Sequence, residues 1–163
     1  MAKEHEKMTD VEVAKTAIAI EQDGFDLYSG AAEKATNPDV KATLTMLARA
    51  EAKHKSKFEG IEARLLLLEN VPYWDDESIT PYIRAIANPK LFPPMPQDLR
   101  DTEAVLLYAL QVERNSVLFY DVASQNAQNK EAGAIFGEIK EEEIKHVVEV
   151  TEALRKLDPS RLV

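Results

Sequence analysis

Four residues recur in the same order and at the same spacing. Glu21, Tyr28, Glu51 and His54 are followed, 92 positions later, by Glu113, Tyr120, Glu143 and His146. On a helix, a Glu-x-x-His pair points both side chains to one face, because three residues turn the helix by about 300°. Two such pairs, each with a lone Glu on the helix before it, supply four carboxylates and two imidazoles. That is the donor set for two metal ions held between four helices. No other feature of the chain restricts its fold so tightly, since all six groups must meet inside one bundle.

The offset holds without a gap, and ten of the 46 positions from 17 to 62 are identical to their counterparts. The second helix pair therefore reads as a copy of the first, related to it by a pseudo-twofold axis through the site. Exchange of one half between two chains is the alternative, and the long linker would permit it.

The expected fold is all-α, an antiparallel four-helix bundle of two pseudo-symmetric helix hairpins in a single domain, residues 1–163. Helix A is expected over 10–35, with Thr9 or Asp10 as cap. Helix B is expected over 38–69, with Asn37 capping and Pro38 in the first turn. Residues 70–100 form a Pro-rich crossover holding six of the eight prolines, in which Thr80-Pro81 opens a short helix through Ala87. Helix C follows over 102–126 and helix D over 130–156, stopped by Asp158-Pro159.

Steps of four and three pick out an inward seam on each helix. In helix A it runs Ala14, Ile18, Glu21, Phe25, Tyr28, Ala32, Ala35. In helix B it runs Val40, Leu44, Leu47, Glu51, His54, Phe58, Ile61, Leu65, Leu68. Helix C gives Leu106, Leu110, Glu113, Val117, Tyr120, Ser124 and Ala127. Helix D gives Ala132, Phe136, Ile139, Glu143, His146, Val150, Ala153 and Leu157. The six ionisable residues thus fall in apolar seams. Burying one unpaired carboxylate costs several kcal/mol, roughly, and four together demand counter-charge. The nearby Arg and Lys lie off the seams, so two divalent cations are the expected partners.

Carboxylate and imidazole donors suit iron or manganese, with zinc possible. Glu51 and Glu143, central and each beside a His, are expected to bridge, and Glu21 and Glu113 to be terminal. Glu142 competes with Glu143, but the repeat favours Glu143. Tyr28 and Tyr120 read either as donors to a ligand carboxylate or as core aromatics with a satisfied hydroxyl. Gly24 and its counterpart Ser116 are small residues beside the terminal ligands. Room for a dioxygen-sized molecule and close helix packing explain them equally.

Composition narrows the function classes. The chain has no cysteine, which excludes disulfides, thiolate catalysis, iron–sulfur clusters and a four-cysteine iron site within it. A formal net charge of −9 argues against nucleic acid. The start, MAKEHEKMTD, has no signal-peptide core, and no apolar run reaches membrane-spanning length, so a cytoplasmic location and no membrane partner are expected. His5, in this charged stretch, reads as solvated.

The stretches AIAIEQDGFDLYSGAAEKA, LARAEAKHKSKF, ALQVERNSVLFYDVA and EIKEEEIKHVVEV resemble the four metal-binding helices of the rubrerythrin family, within the ferritin-like superfamily. The likeness covers about 17–68 and 104–157. It implies a bundle of ferritin-like type and a non-haem di-iron protein, with two iron ions cycling between Fe2+ and Fe3+. Hydrogen peroxide or dioxygen would be the oxidant, and a separate protein the electron donor. A homodimer is the expected assembly. The implied iron ligands are Glu21, Glu51, His54, Glu113, Glu143 and His146. Two departures from that pattern stand out. Rubrerythrins carry a second Glu three residues after the helix C ligand, where this chain has Ser116, and they usually carry a rubredoxin domain. The six-ligand set is similar to the ferroxidase centre of bacterioferritin. An iron-oxidising storage protein and a di-iron oxygenase acting on an organic substrate are the competing functions.

Overall fold

The structure, a computed structural model, describes residues 7–76, 78–88, 95–158 and 160. Among them are five helices and no strand beyond a single antiparallel bridge between Thr9 and Tyr73. The helices are α1 (Asp10–Lys34), α2 (Pro38–Leu66), α3 (Ile79–Ile86), α4 (Thr102–Asn126) and α5 (Lys130–Leu157). Among the described residues no helix is long and apolar enough to cross a membrane.

Local chemistry sets where the helices begin. Thr9 and Glu12 form a reciprocal capping box at α1. Asn37 and Asn129, counterparts in the repeat, cap α2 and α5 with their side-chain oxygens, and Asp101 caps α4. Helix B was expected to reach residue 69, but α2 stops at Leu66. Beyond it Leu67 and Leu68 donate to Arg64 and Leu65 in tighter, three-residue bonds. Leu66, Leu67 and Leu68 are all exposed, so no burial rewards further helix. Helix α1 ends one residue earlier than expected and α5 one residue later. Expectations for His5 and for the prolines at 89, 93, 94 and 159 lie outside the described residues.

Two apolar clusters define the packing. One gathers Ala14 at the start of α1, Phe58 and Leu65 at the end of α2, Phe119 and Ala123 at the end of α4, and Phe136 at the start of α5. The other gathers the opposite ends, including Leu27, Leu44, Leu106 and Val150. Hence α1 runs antiparallel to α2 and α4, and α5 does the same. Contacts of α1 with α4 and of α2 with α5 give the ring order α1, α2, α5, α4. The crossover must therefore travel the length of the bundle, from the end of α2 to the start of α4. It is fastened at its start by Trp74, whose backbone N–H donates to Met8 at 2.8 Å and whose indole donates to Asp10 at 2.8 Å. Buried Asp10 also accepts the backbone N–H groups of Gln128 and Asn129. One carboxylate thus ties the start of α1 to the crossover and to the α4–α5 turn.

The expected seams of α2 and α5 are buried except at their last members, Leu68 and Leu157. Those of α1 and α4 are buried at Ala14, Glu21, Tyr28 and Ala32 and at Leu106, Leu110, Glu113 and Tyr120, but not throughout. Ile18, Phe25, Ala35, Val117, Ser124 and Ala127 are only half-buried. Ala17, Gly24, Leu27 and Ala31 on α1, with Ala109, Ser116, Phe119 and Ala123 on α4, are buried instead. Each helix touches two neighbours, so the buried stripe is broader than a two-per-heptad seam.

Candidate metal centre

Between the two apolar clusters lies a layer made of the six repeated ionisable residues. Glu21, Glu51, His54, Glu113, Glu143 and His146 are each at most 5% exposed. Their donor atoms fall into two overlapping groups, each within 4.8 Å: Glu21, Glu51, His54 and Glu143, and then Glu51, Glu113, Glu143 and His146. Glu51 and Glu143 belong to both. Each group has one further Glu and one His, as the repeat requires. His54 and His146 lie nearly parallel with ring centroids 5.5 Å apart.

The first group contains four buried atoms without a hydrogen bond among the described residues: Glu21 Oε2, Glu51 Oε1, His54 Nδ1 and Glu143 Oε1. One such atom is costly, and four converging ones have no account in packing alone. His54 Nδ1 sits 2.9 Å from Glu143 Oε1 and 3.3 Å from Glu21 Oε2, yet is aligned for a hydrogen bond with neither. His146 Nδ1 lies 3.1 Å from Glu143 and 3.5 Å from both Glu51 and Glu113. Both imidazoles thus turn Nδ1 inward. This donor set, hard oxygens plus imidazole nitrogen around a shared carboxylate pair, fits two divalent cations.

Without metal, protons carry the compensating charge. Burial holds the Glu51 carboxyl well above the usual carboxylate range, and the charges of Glu21 and Glu143 add to it. Burial and then Glu143 do the same to Glu113, and burial raises Glu21. Glu143 is the exception: burial would raise it, but His146 and His54 on either side hold it low. Burial would lower the histidines, yet the carboxylates at Nδ1 push His54 up to about 11 and His146 up to about 10. Two imidazolium charges thus flank Glu143.

The tyrosines cross between the halves. Tyr28 donates to Glu113 and Tyr120 to Glu21, and both phenols are fully buried. Each hydroxyl therefore holds the lone glutamate of the other hairpin, a pairing that sequence spacing alone does not reveal. Glu142 takes a different place from the central ligands. It accepts from His54 Nε2 at 2.8 Å, on the ring edge away from the cluster, and from Lys57. Its counterpart in the repeat is Ala50, so His146 has no matching carboxylate. Gly24 is where Glu51 needs space: a Cβ there would lie 2.7 Å from Glu51 Oε2.

The four-helix bundle with its long crossover has a fold of ferritin-like type. Residues 12–85, spanning most of α1, all of α2 and most of α3, match the family model named Rubrerythrin. Two solved structures share the fold. One, an uncharacterized conserved protein from Magnetospirillum magnetotacticum, has a TM-score of 0.69 at 21% identity, over 91% of this chain and 95% of its own. The other, a candidate ferritin-like diiron-carboxylate protein from Thermotoga maritima, has a TM-score of 0.68 at 22% identity, over 91% and 96%. No curated protein matches the chain.

Proposed function

We propose that the chain is a non-haem di-iron oxidoreductase whose oxidant is hydrogen peroxide or dioxygen and whose electrons come from a separate donor protein. The observation that carries this reading is the overlap of the two buried donor groups at Glu51 and Glu143. Glu21 and His54 would hold one ion, Glu113 and His146 the other, with Glu51 and Glu143 shared. Bound iron would supply one electron per ion, which with two protons converts one peroxide into two waters. The residues around it have separable tasks. Tyr28 and Tyr120 fix the two terminal carboxylates by donating from buried phenols. Glu142 orients the His54 ring through Nε2. Apolar clusters above and below the layer exclude bulk water.

Anaerobic iron titration, followed by separate pulses of peroxide and dioxygen, tests the reading. Two ions per chain are expected, with oxidation of both by at least one of the two pulses. Less than half an equivalent bound, or a loaded protein inert to both oxidants, would overturn it.

A further inference from the structure

The groove between α1 and α4 holds a cavity of about 210 Å³, closed on one side by the end of α3. Its walls are mostly apolar, among them Ile20, Ala87, Val112 and Phe119, with Thr16 and Asn115 as uncharged polar members. Its one deeply buried polar residue is Ser116, 6% exposed and a single helical turn from Glu113. Elsewhere in the helices Thr16, Thr43, Thr45 and Thr151 return their hydroxyls to the carbonyl four residues back. The Ser116 hydroxyl makes no hydrogen bond with any described residue and lines the cavity. No cationic side chain lines it, and its ionisable groups are Asp23 and Tyr108.

We propose that this cavity binds a small uncharged organic molecule with an apolar body and one hydrogen-bonding end, the latter on Ser116. Volume sets the size: an apolar cavity of about 150 Å³ accepts benzene, so about 210 Å³ accepts a ring with a short polar substituent. Charge sets the class, because an anionic ligand would meet no counter-charge and would face Asp23. Chemistry sets the orientation, since the Ser116 hydroxyl faces the cavity with no partner among the described residues, and a ligand that displaces water from it must offer a hydrogen bond in return. The hydrogen-bonded end then lies one turn from Glu113, beside the proposed di-iron layer. This places an organic molecule at the site, beyond the peroxide or dioxygen reaction.

Benzyl alcohol and its near-isostere toluene are the probes, titrated by NMR into the full chain with and without iron. Both should bind saturably with one site per chain, and benzyl alcohol should bind roughly three- to tenfold more tightly, the range of one net hydrogen bond. Ser116→Ala should erase that preference while leaving toluene unchanged. Ala87→Trp, which fills the cavity from the α3 side away from the ligands, should abolish both. Absence of saturable binding in the parent chain, or binding indifferent to Ala87→Trp, overturns the proposal. A chain that loads no iron yet binds both probes sinks the di-iron reading and leaves this one standing. A chain that loads iron and binds neither does the reverse.

Discussion

Replacing Gly24 with alanine should separate the stability of the fold from its affinity for metal. A Cβ at this position would lie 2.7 Å from Glu51 Oε2 and 3.2 and 3.3 Å from its Cδ and Cγ, so something must move. In the metal-free chain the obstacle is the end of a flexible side chain whose carboxyl burial keeps protonated. It swings aside at small cost, and the gain of about 1 kcal/mol for alanine over glycine in a helix survives in large part. The metal-free variant should be more stable by about 0.5–1 kcal/mol, raising its melting temperature by about 1–4 °C for a chain of this size. On the proposed reading Glu51 serves both ions once metal is bound, and it then has no freedom to yield. Affinity should fall about tenfold or more, the scale on which metal sites respond to a disturbed ligand environment. Gly137→Ala is the control, because its nearest atom would be Ser124 Cβ at an ordinary 3.8 Å. It should gain the same stability and bind metal as the parent does. Urea melts in chelator and anaerobic metal titrations measure the two halves. A Gly24→Ala variant with parental affinity would show that Glu51 does not reach the metals from this position.

Three further outcomes follow from the geometry. Above about pH 4.5 the metal-free chain should lose stability, because Glu21, Glu51 and Glu113 keep protons in the fold that the unfolded chain releases. The loss should continue from about 6.5 until His146 and His54 deprotonate at about 10 and 11, so urea midpoints that are flat or rise between pH 5 and 9 would contradict it. The depressed Glu143 acts in the opposite direction, contributing stability above its unfolded value that is lost only as acid protonates it, and bound divalent ions should remove the alkaline loss. Asp10→Ala should destabilise the chain by about 3 kcal/mol in chemical denaturation, since it strands the Trp74 indole and two backbone N–H groups; a change under about 0.5 kcal/mol would show that water replaces them. Glu142→Gln should weaken one of the two metal-binding steps by about ten- to a hundredfold and spare the other, and equal weakening of both steps would refute an assignment to His54 alone.

How much of this was legible in the sequence depended on periodicity. Helices α2 and α5 carry large apolar residues at strict four-three steps, and the buried faces follow those steps from Val40 to Leu65 and from Ala132 to Ala153. On α1 and α4 the large residues Phe25 and Val117 drew part of the expected seam off the buried face, which also takes in the small residues Ala17, Gly24, Ala109 and Ser116. Small residues carry little hydrophobic signal, so the face they form is invisible to a count of apolar side chains. The gathering of the six ionisable residues was readable because the repeat fixes both members of each pair. The crossed tyrosine bonds were not, since they depend on α1 and α4 being antiparallel neighbours. Nor was the Asp10 knot, which joins three segments distant in sequence.

The 92-residue repeat accounts for the Glu/His layer but not for what surrounds it. The Tyr28–Glu113 and Tyr120–Glu21 bonds map onto each other under the 92-residue offset, as do the two donor groups. The flanking cores do not. Phe58, Phe119, Tyr120 and Phe136 stack at one end, where their counterparts at the other are Val150, Leu27, Tyr28 and Leu44. Trp74 and Ile83 of the crossover join the aromatic end only. Glu142 faces His54 where Ala50 stands on the other side, and Ser116 offers a hydroxyl where Gly24 offers none. A connection that runs from one end of the bundle to the other cannot be symmetric, so each residue packed beneath it experiences a different environment from its twin. The six central residues keep the symmetry of the repeat: each donor group draws members from both hairpins, so a change in either copy would remove a donor from a group the other copy helps to form.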